Sequence, residues 1–198
     1  MKREMRRDDL PDDGDEGTLE SAPEGTLRLR TVWISDLHLG TSGCQAKALL
    51  HFLRHVECET LFLVGDIIDG WQLRRQWYWP QSHNDVVQKL LRKARKGTRV
   101  IFIPELKVKR AVSDVGGFET AVAREARSRG VHGVVCGHIH HAEMRQIDGI
   151  LYCNDGDWVE SLTALVEHAD GRLEILDWSE HELRPNRGTA GLLEPVPG

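Results

Sequence analysis

Short apolar runs that stop abruptly on Asp, Gly or His constrain this chain more than any other feature. Arg30 to Ser35 ends at Asp36, Thr60 to Val64 ends at Gly65-Asp66, and Val131 to Cys136 ends at Gly137-His138. A brief apolar run closed by turn residues is the pattern of a buried strand. Segments with helical spacing lie between these runs. Gln45 to Val56 carries Ala46, Leu49, Leu50, Leu53 and Val56 on one face. Asn84 to Lys96 carries Val86, Val87, Leu90, Leu91 and Ala94 and stops at Gly97, a residue suited to helix ends. Arg99 to Ile103 reads as another strand, and Val108 to Arg129 as a long helix ending at Gly130. Ile150 to Cys153, Leu162 to His168 and Arg172 to Trp178 follow as three strands in sequence. Alternation followed by consecutive strands predicts an α/β fold: two packed β-sheets flanked by helices, one partly parallel and the second more antiparallel.

With 198 residues, 40% of them hydrophobic, the chain is sized for one domain with its own core. Residues 1–27, with Asp8, Asp9, Asp12, Asp13, Asp15 and Glu16 among Pro and Gly, read as a disordered acidic tail. The domain then spans 28–182, and 183–198 reads as a flexible tail. The balance of 26 Lys+Arg against 31 Asp+Glu leaves a net charge of −5, which recommends no nucleic-acid partner. Cys44, Cys58, Cys136 and Cys153 form no CxxC pair and mostly adjoin apolar runs. That usage suits reduced thiols and a cytoplasmic location. No signal peptide is expected at the N-terminus, which lacks an apolar core. No apolar run reaches the roughly 20 residues that span a bilayer, although peripheral membrane contact stays open.

Three motifs fall where strands end: Asp36-Leu37-His38-Leu39-Gly40, Gly65-Asp66-Ile67-Ile68-Asp69-Gly70 and Gly137-His138-Ile139-His140-His141. Ligands of α/β sheets bind beyond the carboxyl ends of strands, so loops distant in sequence can converge there. Carboxylate oxygen with imidazole nitrogen is the mixed donor set of Mn, Fe, Zn or Co sites. The glycines suggest sharp turns and close backbone approach to a metal or phosphate. Each motif alone more often has a structural explanation. Three at strand ends in this order point to a metal centre for phosphate chemistry.

These motifs resemble those of the calcineurin-like metallophosphoesterases. Trp71 to Pro80, His83 to Lys96, Gly130 to Glu143 and Tyr152 to Glu160 look like the branch that includes UDP-2,3-diacylglucosamine diphosphatase. The resemblance covers most of residues 30–178 and implies a metallophosphoesterase-like α/β sandwich. It also implies hydrolysis of a UDP-2,3-diacylglucosamine-like pyrophosphate or related phosphoester, with a phosphorylated small molecule or lipid-linked compound as substrate. Carried over by motif, Asp36, His38, Asp66 and His140 would bind one divalent metal, and Asp66 would bridge to a second that His138 also binds. Mn²⁺ leads this expectation, with Fe, Zn, Co or Mg as alternatives. Asp66 and His138 are then the catalytic candidates.

The chain departs from the family after Pro104. The Gly-Asn-His-Asp and His-Gly-Asp motifs that complete the second metal site are absent, and Pro104 runs straight into Glu105-Leu106-Lys107-Val108-Lys109. The domain is therefore internally shortened by comparison. A catalytically impaired relative, keeping one metal site and a binding or regulatory role or none, is the alternative reading. Lys107, Lys109 and Arg110 are candidate phosphate contacts or simply a solvated helix face. Asn154 and Asp157, in a turn near the histidine loop, are candidates to hydrogen-bond the metal ligands from behind. Asn84 or Asp85 is expected to cap a helix rather than bind metal. His51 and His55 are expected to be partly solvated helix residues. Trp71, Trp77, Tyr78 and Trp79 with Arg74 and Arg75 form either a substrate wall or a packed surface segment.

Overall fold

The computed structural model describes residues 3–4, 25–104 and 115–181. Nine strands and four helices follow one another in the described residues. The strands are β1 (Arg3–Glu4), β2 (Leu27–Ser35), β3 (Val56–Val64), β4 (Arg99–Ile103), β5 (Gly133–Cys136), β6 (Glu143–Ile147), β7 (Ile150–Asn154), β8 (Thr163–Glu167) and β9 (Leu173–Asp177). The helices are α1 (Ala46–His55), α2 (Gly70–Arg75), α3 (Gln81–Arg95) and α4 (Val115–Ser128). The result is the expected α/β class with two sheets and flanking helices.

One sheet has the order β1-β4-β3-β2-β8-β9 and the other β5-β7-β6. Within the first, β2, β3 and β4 are parallel, and the nine residues of β2 run in register with β3 from Leu27↔Val56 to Ser35↔Val64. That register brings the carboxyl ends of β2 and β3 level, so Asp36 and the Gly65-Asp66 pair emerge side by side. The last two strands depart from the predicted division between sheets. β8 pairs antiparallel with β2 and β9 with β8, so they extend the first sheet instead of building the second. The burial of β8 explains this: Thr163, Ala164, Leu165 and Val166 are all buried, as an inner strand requires.

The second sheet pairs β5 parallel to β7 and closes the hairpin β6–β7. The polar sequence EMRQI carries no strand signal for β6, and its central residues are exposed. Its turn is legible, however. Asp148 and Gly149 both have positive φ, 50° and 80°, as the two-residue hairpin turn favoured by Asp-Gly requires.

Helix α1 buries Ala46, Ala48, Leu49, Leu50, Phe52 and Leu53, which join Val32, Ile34, Leu61 and Leu63 of the first sheet in the main core. This helix passes directly into β3 at Val56, whose extended backbone forms its C-cap. His51 and His55 stack at 4.1 Å, and Trp178 donates from Nε1 to His51 Nδ1, so the pair fastens the segment after β9. Helix α3 starts at Gln81 with Pro80 as its N-cap, so Asn84 and Asp85 lie inside the helix and neither is the cap. Proline lacks an amide hydrogen and has a fixed φ, so it loses nothing at the point where the chain enters a helix. Helix α4 packs on the second sheet through Ala123 and Ala126. Its buried Glu119 pairs with Arg145 of β6.

Arg3 and Glu4, within the stretch read as a disordered tail, pair antiparallel with β4 at Phe102 and Ile101. Leu27, the last residue of that expected tail, begins β2. Residues 1–2, 5–24 and 183–198 of the two expected tails, and the Val108–Asp114 part of the predicted helix, lie outside the described residues.

Candidate metal centre

Asp36 organises the site. It follows the last residue of β2, is only 2% exposed, and receives a backbone amide on each carboxylate oxygen. Asp66 N–H donates to Oδ1 at 3.1 Å, and His138 N–H donates to Oδ2 at 2.7 Å. One carboxylate therefore ties together the loops after β2, β3 and β5. Two glycines make room for it. A Cβ on Gly65 would stand 2.6 Å from Asp36 Oδ1, and one on Gly137 would stand 2.5 Å from Ser35 Oγ and 2.6 Å from Asp36 Oδ2. The close approach read from these glycines is thus to Asp36 itself, between one loop and another.

The first two loops are zipped by backbone bonds. His38 N–H donates to Asp66 O at 2.9 Å, Leu39 N–H to Ile67 O at 3.0 Å, and Asp69 N–H to Leu39 O at 2.8 Å. This ladder holds His38 beside Asp36, and the Thr41 hydroxyl adds a bond to His38 O at 2.9 Å. Asp69 then serves twice. Its Oδ1 accepts from Gln72 N–H at 2.8 Å as the N-cap of α2, while its Oδ2 lies 3.7 Å from His38 Nδ1. Sequence reasoning gave Asp69 no role, although an Asp three residues before Gln at a helix start is a capping signal.

The ligand atoms of Asp36, His38 and His140 all lie within 4.8 Å of one another. Two donors at metal bonds of about 2.1 Å stand at most about 4.2 Å apart, so closing the group needs only small rotamer movements. The donor set, one oxygen and two imidazole nitrogens, fits a borderline divalent ion. Asp66 and His138 are not members of this group. Asp66 is half-buried and contributes its backbone at both ends. His138 is exposed, gives its amide to Asp36, and turns its ring toward Phe118 of α4 at 6.0 Å. Three of the four residues expected around a first metal are therefore together.

Backbone strain marks the same residues. Among the described residues, six that are not glycine have positive φ, and four of them are Asp36 (50°), His38 (49°), His138 (80°) and His140 (51°). Asp and His tolerate the left-handed region better than most residues, but each such position still costs of the order of 1 kcal/mol or more. Concentration of strain on the candidate ligands is what a functional site shows when side-chain chemistry, and not backbone preference, selects the residue.

The two residues expected to support the ligands differ. Asn154 donates from Nδ2 to Gly137 O at 3.0 Å and accepts Gly156 N–H on Oδ1 at 2.9 Å. It therefore braces the backbone that leads into His138 and His140. Asp157 is spent on its own turn, accepting Val159 N–H at 2.7 Å, Glu160 N–H at 2.6 Å and Ser161 Oγ at 2.8 Å. Burial alone would raise its pKa. The Glu160 amide, the Ser161 hydroxyl and the Val159 amide outweigh that and hold it below the ordinary value, with His140 adding to the same direction.

The neighbouring Asp155 passed unnoticed in the sequence. It is fully buried after β7, and neither carboxylate oxygen has a hydrogen-bond partner among the described residues. Burial first, and the nearby Asp36 charge second, push its pKa up to about 8, against smaller opposing effects from Ser35 and its own backbone. Ser35 spends its hydrogen elsewhere, donating to Gly156 O at 2.7 Å.

Lys107, Lys109 and Arg110 lie outside the described residues. The aromatic segment divides: Trp71 is 69% exposed, Trp77 75% and Tyr78 42%, whereas Trp79 packs partly buried against the main core. No described helix is long and apolar enough to cross a membrane.

No family model matches the sequence, and no curated protein matches it either. Among solved structures, the fold is similar to a single mutant of Vps29 from Entamoeba histolytica, at 15% identity and TM-score 0.45 over 74% of this chain and 98% of that one. It is also similar to a novel archaeal phosphodiesterase at 13% identity and TM-score 0.42, covering 74% of this chain and 98% of that one. A Streptococcus pneumoniae TIGR4 protein described as a predicted phosphoesterase matches at 12% identity and TM-score 0.42, covering 76% and 90%. At such identities and scores these likenesses carry no argument about chemistry, which rests on the geometry of Asp36, His38 and His140.

Proposed function

We propose that this chain is a divalent-metal-dependent phosphohydrolase acting on a phosphoester or pyrophosphate, with a UDP-2,3-diacylglucosamine-like diphosphate as the first substrate to test. The observation that carries the reading is the convergence of Asp36, His38 and His140 within 4.8 Å at the carboxyl ends of β2 and β5. These three residues would hold the ion, with Mn²⁺ the first candidate. A cation held there lowers the pKa of bound water toward neutrality and polarises a phosphoryl oxygen. Asp36 is oriented through the backbone amides of Asp66 and His138, and the side chains of both residues are proposed to face substrate or a further ion. The exposed His138 ring is assigned to the phosphate, where it would hold a proton toward an oxygen. The exposed surface of Trp71, Trp77 and Tyr78 with Arg74 and Arg75 would take the organic part of the substrate, or a lipid surface that presents it. A cytoplasmic setting fits the free thiols.

A second reading has its own observation. Asp66 and His138 stand outside the converged group, and the sequence lacks the two motifs that would complete a second metal site. The chain would then bind one metal and turn over slowly or not at all. Metal analysis of the purified chain, beside hydrolysis of bis(p-nitrophenyl) phosphate and of UDP-2,3-diacylglucosamine with added Mn²⁺, separates the two. Turnover lost in His138→Ala supports the hydrolase. Stoichiometric metal without turnover supports the second reading. Absence of bound metal refutes both.

A further inference from the structure

Beside the metal centre, and on different residues, lies a cavity of about 250 Å³ bounded by Gln45 and Lys47 of the α1 entrance and by Tyr78, Ser82 and His83 of the α3 entrance. Its lining carries one cationic side chain, Lys47, and no acidic one. Helix α1, of 10 residues, begins at an N-cap, Gln45, that makes no side-chain capping bond. Helix α3, of 15 residues, begins at Pro80, which has no capping side chain. Neither first turn contains an acidic residue. The leading amides of a helix have no carbonyl within the helix to bind, and aligned peptide dipoles make that end positive. Two such ends opening on one cavity, with the Lys47 ammonium at its edge, form a concentrated positive potential.

An independent observation comes from His83. It is 2% exposed, yet its ring lines the cavity. Its Nδ1 accepts Gly40 N–H at 3.1 Å, which requires a lone pair on Nδ1 and places the hydrogen on Nε2. Burial lowers its pKa, in the direction that favours the neutral ring. Among the described residues no hydrogen bond to that Nε2 is made, so the hydrogen is left for a molecule in the cavity that the ring lines. Tyr78 and Trp79 meet the ring edge-on at 5.7 and 5.6 Å and fix its orientation. The nearest acid on α3, Asp85, is already paired with Gln81 Nε2 at 2.8 Å.

We propose that the cavity between the N-termini of α1 and α3 is a binding site for a phosphate group, held by His83 Nε2–H, the leading amides of both helices, the Ser82 hydroxyl and Lys47. The site is separate from the metal centre, and a phosphate there does not depend on a bound cation. It reports to that centre all the same, because the ring that would hold the anion also holds the Gly40 amide, two residues beyond His38. The phosphate is either the free ion or the terminal group of a larger molecule, with Tyr78 beside it for the organic part.

The test is an amide NMR titration of the full chain with inorganic phosphate, run once with Mn²⁺ and once with EDTA. Saturable shifts are expected for Ala46, Lys47, Ser82 and Gly40 under both conditions. Lys47→Glu, a surface change, and Ser82→Asp, which installs an acid at the α3 entrance, should each weaken binding at least about tenfold. Parallel titration with phenyl phosphate distinguishes the sources: equal affinity identifies the free ion, and tighter binding identifies a phosphorylated organic ligand. Shifts confined to the loops of Asp36, Asp66 and His138, or unchanged binding in both variants, would overturn the proposal without bearing on the metal centre. An absent metal with an intact phosphate response would refute the hydrolase and leave this site standing.

Discussion

Asp155→Asn should make the metal-free protein more stable at alkaline pH and nearly unchanged at acidic pH. Asp155 is fully buried, unpartnered among the described residues and shifted from an ordinary 3.8 to about 8. A carboxyl whose folded pKa is raised binds its proton more tightly in the native state than in the unfolded chain. Its contribution is therefore fully present below pH 3.8 and lost progressively as pH rises through about 8. One pH unit in that window corresponds to about 1.4 kcal/mol, so the ceiling is on the order of 5 kcal/mol. Between pH 5 and pH 8 the loss at full slope is about 4 kcal/mol. Asparagine has almost the same volume and cannot ionise, so the variant lacks this slope. Urea denaturation of both proteins in EDTA, repeated from pH 5 to pH 8.5, isolates Asp155 as the difference between two curves. Titrating groups that do not interact with Asp155 cancel, which leaves Asp155 and its coupling to Asp36. The expected difference curve rises in favour of asparagine by about 3–4 kcal/mol across the window. A flat difference, or an asparagine variant that is uniformly less stable, would show that Asp155 is charged in the folded state and has a partner.

Other consequences are open to measurement. Added Mn²⁺ should raise the melting temperature of the parent by mass action, by the equivalent of about 2.7 kcal/mol at a hundredfold excess over Kd, and Asp36→Asn should remove that rise. Gly137→Ala should destabilise by about 1–3 kcal/mol and weaken Mn²⁺ binding, because its Cβ would press on Ser35 Oγ and Asp36 Oδ2 at 2.5 and 2.6 Å. Equal Mn²⁺ affinity in that variant would show that Asp36 is not the clamp described. Trp178→Phe should cost about 1 kcal/mol in chemical denaturation through loss of the bond to His51 Nδ1, with metal binding unaffected. Hydrolysis with Mn²⁺, if measured on UDP-2,3-diacylglucosamine, should fall at least about 10²-fold below the ordinary range of about 1–10³ per second, since positioned charge stabilisers are missing.

Much of the fold could be read from periodicity because burial is two-sided. The strands β2, β3 and β4 sit inside a sheet with helices on it, so their apolar runs are nearly continuous and end where the sheet ends. What escaped was carried by strands with one wet face. β6, exposed through Met144, Arg145 and Gln146, has no apolar run, and only its Asp148-Gly149 turn betrays it. The first half of β3 was hidden differently. Val56 fits the helical face of α1 as well as it fits a strand, and the parallel register with Leu27 decides the matter. The placement of β8 and β9 in the first sheet is a long-range choice that no local pattern encodes.

The site shows a sharper division between what residues announce and what geometry adds. Asp36, His38 and His140 were visible because ligand chemistry restricts which residues can serve. Their support was not visible, because it is made almost entirely of backbone: Asp66 and His138 give amides, Asp66 and Ile67 give carbonyls, and Gly65 and Gly137 give space. Any residue other than proline supplies an amide, so that part leaves no signature in side-chain identity. The positive φ angles follow from the same arrangement. A loop that must aim both its amide and its side chain at one point cannot keep an ordinary backbone, and Asp36, His38, His138 and His140 all leave it. Strain at four positions of the order of 1 kcal/mol each persists only if something over-determines the geometry. Asp36, bonded through both oxygens to two of the three loops it joins, is placed to do so, with Asn154 bracing Gly137 O from behind. Removing its charge should therefore relax the loops as well as release the metal, and the two effects separate by hydrogen exchange: in Asp36→Asn, the amides of Asp66 and His138 should lose protection even with Mn²⁺ absent. Unchanged protection of both amides would show that the ladder of His38, Leu39 and Asp69 holds the site unaided.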